Sequence, residues 1–150
     1  MMMSTLDEFC DATALNTGVA AVYNIGSQLD MVDVREQAAE VPVYLVISVS
    51  TAVTSAGAAT VQFQLVSDAI ATPDLASASK HWISQAFGKA ELVAGAVVAV
   101  VPLPFGALEP YERYLGVQQI TGVAALTAGA VNAFLTTAPQ TWVAQADATN

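Results

Sequence analysis

The tightest constraint on this chain is a two-residue hydrophobic rhythm that starts and stops every few residues. Val43, Leu45, Ile47 and Val49 alternate after Pro42, and Val61, Phe63 and Leu65 alternate with Gln62 and Gln64. Successive side chains of a strand point to opposite faces, so each run reads as a strand with one face turned inward. Val19, Ala21, Tyr23 and Ile25 repeat the pattern up to Gly26-Ser27. Residues 82–87, 91–93, 97–101, 113–120 and 131–136 are further candidate strands, set apart by Gly88, Gly95, Gly122 and Gly129. Alanine is abundant and favours helix, yet it clusters beside Gly, Ser and Thr, and no segment sustains a 3.6-residue period. Short strands about 8–12 residues apart, with Gly and Pro between them, predict an all-β sandwich or barrel.

Composition narrows the function classes. At 150 residues the chain has the length of one domain and can bury roughly 70% of its unfolded surface without disulfides or metal. Hydrophobic residues make up 55% and charged residues 11%, less than half the usual ~25%. General disorder is excluded, since disordered chains are polar and charged. A surface with so few charges must expose apolar area, and large apolar patches mark contact sites. Thirteen acids against four bases give a net charge of −9, which argues against coating DNA or RNA. One Cys and one His exclude disulfide frameworks and nearly all zinc, haem and iron–sulfur sites. The apolar run 92–108 is broken by Gly95, Pro102, Pro104 and Gly106, so it reads as strand then turn and not as a membrane helix of about 20 residues. Residues 1–8 lack the basic and apolar regions of a secretory signal.

The chain divides into an N-terminal arm over 1–16, a sandwich over 17–138 and a polar tail over 139–150. Thr5-Leu-Asp-Glu8 fits a capping box that starts at most one helical turn. Residues 67–79 lack a strand pattern and read as a surface excursion. Ser55-Ala-Gly-Ala, Val93-Ala-Gly-Ala and Thr127-Ala-Gly-Ala recur before apolar strands and read as turns whose glycine takes a positive φ.

Chemistry-bearing residues are few. His81, between Lys80 and Trp82, has no partner in the sequence that marks it as a general base. Cys10 sits among Asp7, Glu8 and Asp11, which oppose thiolate formation. Asp30, Asp33, Glu36 and Glu40 bunch together without the spacing of a calcium loop, so they read as a solvated rim. No Gly-rich phosphate loop is present. No enzyme activity, cofactor or metal site is expected. Trp82, Trp142, Tyr44, Tyr111 and Tyr114 suit either a strand core or a subunit contact.

Several runs resemble, in the same order, the Bbp16-like capsid cement proteins of tailed bacteriophages. They are Asp11-Ala-Thr-Ala, Ile25-Gly, Val43-Tyr-Leu-Val-Ile-Ser-Val, Thr54-Ser-Ala-Gly-Ala-Ala-Thr-Val-Gln-Phe-Gln-Leu, Lys89-Ala-Glu-Leu-Val-Ala-Gly-Ala, Val101-Pro-Leu-Pro, Arg113-Tyr-Leu and Leu126-Thr-Ala-Gly-Ala. The resemblance covers about 11–135 and departs over 68–84 and beyond 139. It implies a jelly-roll antiparallel β-sandwich on the outside of an HK97-like shell, bridging major capsid protein subunits against DNA pressure. It implies a homo-oligomer, a dimer or a trimer, located in the virion, with no nucleic-acid or membrane partner. Within that frame Leu6, Phe9 and Leu15 of the arm, Tyr44 on a strand face, Trp82 in the excursion and Trp142 in the tail are the candidate interface residues. The competing reading is a carbohydrate- or receptor-binding virion module with Trp82 and Trp142 as aromatic platforms, because jelly rolls also host lectins.

Overall fold

The computed structural model describes residues 7–31, 42–104 and 109–139. Its elements are nine strands: β1 (Glu8–Ala14), β2 (Val22–Asp30), β3 (Tyr44–Thr54), β4 (Thr60–Asp68), β5 (Ser79–Ile83), β6 (Phe87–Gly88), β7 (Val97–Pro102), β8 (Tyr114–Gly122) and β9 (Ala128–Thr136). Sheet I has the order β1-β9-β3-β7; sheet II has the order β2-β8-β4-β5, with β6 also on β4. Every pairing is antiparallel.

The topology is one long ribbon rolled on itself. β1 pairs with β9, β2 with β8, β3 with β7, and β4 with β5 and β6. Rolling adds the pairings β3–β9 and β4–β8, which closes two sheets in jelly-roll order. Of the all-β sandwich or barrel expected from the rhythm, the sandwich is the fold observed.

The core is the space between the sheets. Leu45, Ile47 and Val49 of β3 and Val131, Ala133 and Leu135 of β9 face Val61, Phe63 and Leu65 of β4 and Leu115 and Val117 of β8. These are the alternate positions of each run, as period-two patterning requires. Phe63, Leu65, Leu45 and Ile47 are fully excluded from solvent, each burial contributing roughly 1.5–3 kcal/mol. β4 and β8 keep an unbroken register from Thr60↔Gly122 to Asp68↔Tyr114.

Three expectations change. The arm expected over 1–16 is, from Glu8 onward, strand β1 of sheet I, and Leu15 extends it by donating its N–H to Gly129 O at 2.9 Å. Strand β2 does not stop at Gly26-Ser27 but continues to Asp30; Gly26 takes φ +68° within a register shift, and a Cβ there would collide with the Phe9 carbonyl and the Cys10 sulfur. The expected strand over 91–93 is irregular backbone between two turns, and 82–87 is divided between the end of β5 and the start of β6, with 84–86 in neither. In the first case a terminal segment reads as an arm because its pairing partner, β9, lies more than a hundred residues away.

The three Ala-Gly-Ala motifs gather at one end of the sandwich. Ser55 Oγ donates to Ala125 O at 2.7 Å, Thr54 and Thr127 hydroxyls meet at 2.8 Å, and Val53 N–H donates to Leu92 O at 2.9 Å. Positive φ occurs at Gly95 and Gly129 but is not a feature of Gly57. Gly57 is instead required by crowding, with the Ala124 methyl 2.8 Å from where its Cβ would stand.

Candidate interaction surfaces

A β-sandwich offers a partner its sheet edges, its outward faces and its end loops. The edges are blunted. β1 carries two register shifts against β9 and the acids Glu8 and Asp11. β2, β5 and β7 each carry one shift, β5 bears Lys80, and β7 ends in Pro102, which has no N–H to offer. Bulges, charges and edge proline all obstruct strand addition, which leaves the faces and the end loops as the less obstructed surfaces.

The outward face of sheet II is covered by the chain itself. Gln64, Val66, Gly116 and Gln118 point away from the core and are nonetheless buried. Asn24, Gln118 and Gln64 stand in one row across β2, β8 and β4. Gln64 Nε2 donates to Gln118 Oε1 at 2.6 Å, and Gln118 Nε2 donates to Asn24 Oδ1 at 2.9 Å and Asp74 O at 3.3 Å. Asn24 Nδ2 donates to Pro73 O at 2.8 Å. The ladder therefore ties the 69–78 excursion onto the sheet. Asp74 stiffens the excursion by accepting the N–H groups of Ala76 and Ser77, both at 2.8 Å. Those bonds hold its carboxyl below the ordinary carboxylate range.

The outward face of sheet I is apolar. Val46 pairs across the sheet with Phe134 on one side and Val100 on the other, with Tyr44, Ser48 and Asn132 in neighbouring rows; Val46 and Phe134 are themselves buried, so the exposed part of the face is its β7 edge. Val97 and Val100 are each 40% exposed. The looped end adds Val19 and Val123, more than three-quarters exposed. Val123 sits at φ +67° in a three-residue turn closed by Ala124 N–H to Gly122 O at 2.8 Å. A β-branched residue rarely adopts that conformation.

The structure distributes the sequence candidates unevenly. Phe9 and Leu15 are buried in the core, 2% and 3% exposed, so their side chains serve packing and are not available at the surface. The physical reason is that β1 is an integral strand of sheet I. Tyr44 is half-buried on the outward face of sheet I. Trp82 lies opposite Leu65 and packs partly against the core. Leu6 and Trp142 lie outside the described residues, as do Asp33, Glu36 and Glu40. Asp30 is held by Arg113, whose Nη2 reaches Asp30 Oδ2 at 2.7 Å. Among the described residues no three His, Cys, Asp or Glu side chains gather to hold a metal ion.

Two reactive residues have defined surroundings. Cys10 is buried, and burial first, then Glu8, pushes its thiol up to about 11 against an opposing bond from Thr13. His81 was not flanked by any recognisable partner in the sequence, yet folding sets its Nε2 2.7 Å from Ser67 Oγ. That is a nucleophile-to-base distance. However, Ser67 is fully buried and its oxygen already accepts Glu112 N–H at 3.0 Å, which leaves a substrate no approach. Tyr111 stacks on the imidazole at 3.9 Å and donates its hydroxyl to Pro104 O at 2.8 Å, while burial raises its phenol to about 12. Sequence spacing could not reveal this cluster, because β4, β5 and the segment before β8 supply one part each.

A comparison with protein families matches residues 9–135 to the family described as Bbp16. The chain belongs to the Bbp16 family. The matched span opens at Phe9 inside β1 and closes at Leu135 inside β9, so the Bbp16 unit includes β1 and takes in all nine strands. A search of curated proteins finds no match. Bbp16 membership and the jelly-roll fold are together consistent with a phage-related structural protein.

Proposed function

We propose that the protein is a capsid cement protein, which binds the outer surface of an HK97-like phage shell as a homo-oligomer and bridges neighbouring major capsid protein subunits. The observation that carries this reading is the Bbp16 match over the whole sandwich. Three physical features support it. Blunted edges limit open-ended strand addition, so binding through faces and loops gives a closed complex. The outward face of sheet I offers Tyr44 and Val100 as contact residues. A net charge of −9 suits a position away from packaged DNA.

The mechanism is mechanical and involves no bond-making step. A protein that binds the assembled lattice and not its separated subunits shifts the equilibrium towards the intact shell by linkage. An oligomer gripping two capsomers gains avidity from effective concentration, so each contact can be weak.

The test uses shells with and without the protein. Shells lacking it should rupture at lower temperature or force, and the protein should cosediment with expanded shells. Val100→Asp, at an exposed position, should lower occupancy while leaving the unfolding midpoint unchanged. Equal robustness of the two shells, or no cosedimentation, overturns the reading; specific binding to a glycan array would favour a recognition module instead.

A further inference from the structure

The Ser67–His81 pair has a property that neither the capsid reading nor the fold requires, and it is independent of that reading. A hydroxyl has one proton to give and two lone pairs. At Ser67 one lone pair takes the Glu112 N–H at 3.0 Å, and the acceptor within reach of the proton is His81 Nε2 at 2.7 Å. The pairing is satisfied when the imidazole is neutral, carries its proton on Nδ1 and presents Nε2 as acceptor. A protonated imidazole has no lone pair and donates from both nitrogens. The Ser67 proton would then lose its acceptor inside a residue with no solvent exposure, and a buried donor without a partner is costly.

The surroundings oppose one another. Glu109 and Glu112, from the segment before β8, favour the imidazolium, but burial outweighs both and lowers the affinity of His81 for a proton. The Glu112 carboxylate is also engaged, accepting the Ser79 hydroxyl at 2.9 Å. Tyr111 covers the ring face as a neutral phenol. On β4, Asp68 next to Ser67 is committed to the N–H groups of Ile70 and Asp74. On β5 itself Lys80 is exposed. Beyond Glu112, Arg113 is paired with Asp30.

We propose that Ser67, His81 and Glu112 form an acid-sensitive latch, in which a proton on His81 strands the buried Ser67 hydroxyl and frees the segment before β8 from β4. The sign follows from linkage. The closed latch holds the proton less readily than the open one, so closure is fully favoured above the ordinary histidine value of 6.5. That advantage is lost as pH falls from there through the depressed value of the closed state. Opening should increase up to about tenfold for each pH unit across that window.

The Glu112 amide is the natural reporter, because its N–H is bonded to Ser67 Oγ. Native-state hydrogen exchange, corrected for intrinsic rate, should show Glu112 opening more often as pH falls below 6.5 in the full chain. In His81→Gln, whose side-chain oxygen can accept from Ser67 but does not titrate, the opening should be independent of pH. Long-range nitrogen–proton correlation spectra of the unaltered protein provide a readout that needs no variant. They should show the Nδ1–H tautomer at pH 7.5 and a His81 midpoint below 6.5. A Nε2–H tautomer, a midpoint at or above 6.5, or equal pH dependence of Glu112 exchange in both proteins overturns the latch.

Discussion

The two outward faces of the sandwich solve the same problem by opposite means. Sheet II lines its outward face with Asn24, Gln118 and Gln64 and closes it with its own 69–78 excursion, every bond of the ladder being internal. Sheet I places Tyr44, Val46, Phe134 and Val100 outward, with Val100 left 40% exposed. A polar face has been made interior, whereas the apolar face buries Val46 and Phe134 at its centre and contributes to the surface along its β7 edge. The difference teaches that polarity on a strand does not report solvent. Directed hydrogen bonds give one defined cover for a polar row, whereas an apolar face accepts any complementary surface.

The sharpest way to break this contrast is to cut the ladder at its middle rung. Gln118→Ala leaves the buried Gln64 Nε2 and the part-buried Asn24 Oδ1 without their partners and removes the bond to Asp74 O. An orphaned buried polar group costs about 1–3 kcal/mol, so the variant should lose about 3 kcal/mol in urea unfolding. A loss under about 1 kcal/mol would mean that the excursion is not held by the ladder. Gly116→Ala probes the same cover sterically. Its Cβ would stand 3.2 Å from Pro73 Cγ and 3.5 Å from Gln28 Cγ, so the excursion must lift slightly. A loss of about 1 kcal/mol and faster proteolysis within 69–78 are expected.

Much of this was legible before folding. The runs 43–49 and 61–65 specify which residues face inward, and Phe63, Leu65, Leu45 and Ile47 do so. What period two cannot supply is the second layer. Gln62 and Gln64 both read as outward and polar, yet Gln64 is 1% exposed while Gln62 is half-buried, because cover comes from residues that have no rhythm of their own. The adjacent pair Gln118-Gln119 makes the point twice. Gln118 ties the excursion outside; Gln119 turns inward and ties the β1–β2 connection, exchanging bonds with the Asn16 N–H and carbonyl at 2.8 and 3.0 Å. Both are fully buried, and nothing in their order tells one role from the other. The arm was misread for a related reason: β1 finds its partner β9 across the whole chain, a separation that local patterning does not encode. Candidate interface residues were legible only by type, so Tyr44 lies half-buried on an outward face whereas Phe9 and Leu15 joined the core.

Sheet I supplies the converse test. Val100→Ser removes apolar surface from an edge strand at a position already 40% exposed. Its effect on stability should stay within about 0.5 kcal/mol, in contrast with Gln118→Ala on the other face. A loss as large as the ladder's would show that the β7 edge is covered like Val46 and Phe134 beside it, and would remove it as a docking surface.

The smallest effect separates the excursion from the sheet beneath it. Asp74 is an exposed carboxylate held below its ordinary value mainly by the Ser77 and Ala76 N–H groups. A group depressed in the folded state stabilises above its unfolded pKa, and that contribution is lost as pH falls through the folded one. Acidification below the ordinary value of 3.8 should therefore loosen 74–77 first, seen as faster amide exchange at Ala76 and Ser77. The Gln118 ladder has no titrating member and should hold through the same window. Asp74→Asn should reproduce the loosening at neutral pH, since a neutral amide oxygen accepts these bonds more weakly than a carboxylate. If the ladder amides and the 74–77 turn instead open together, the excursion and its clasp are one cooperative unit, and the face of sheet II is uncovered whenever that turn is disturbed.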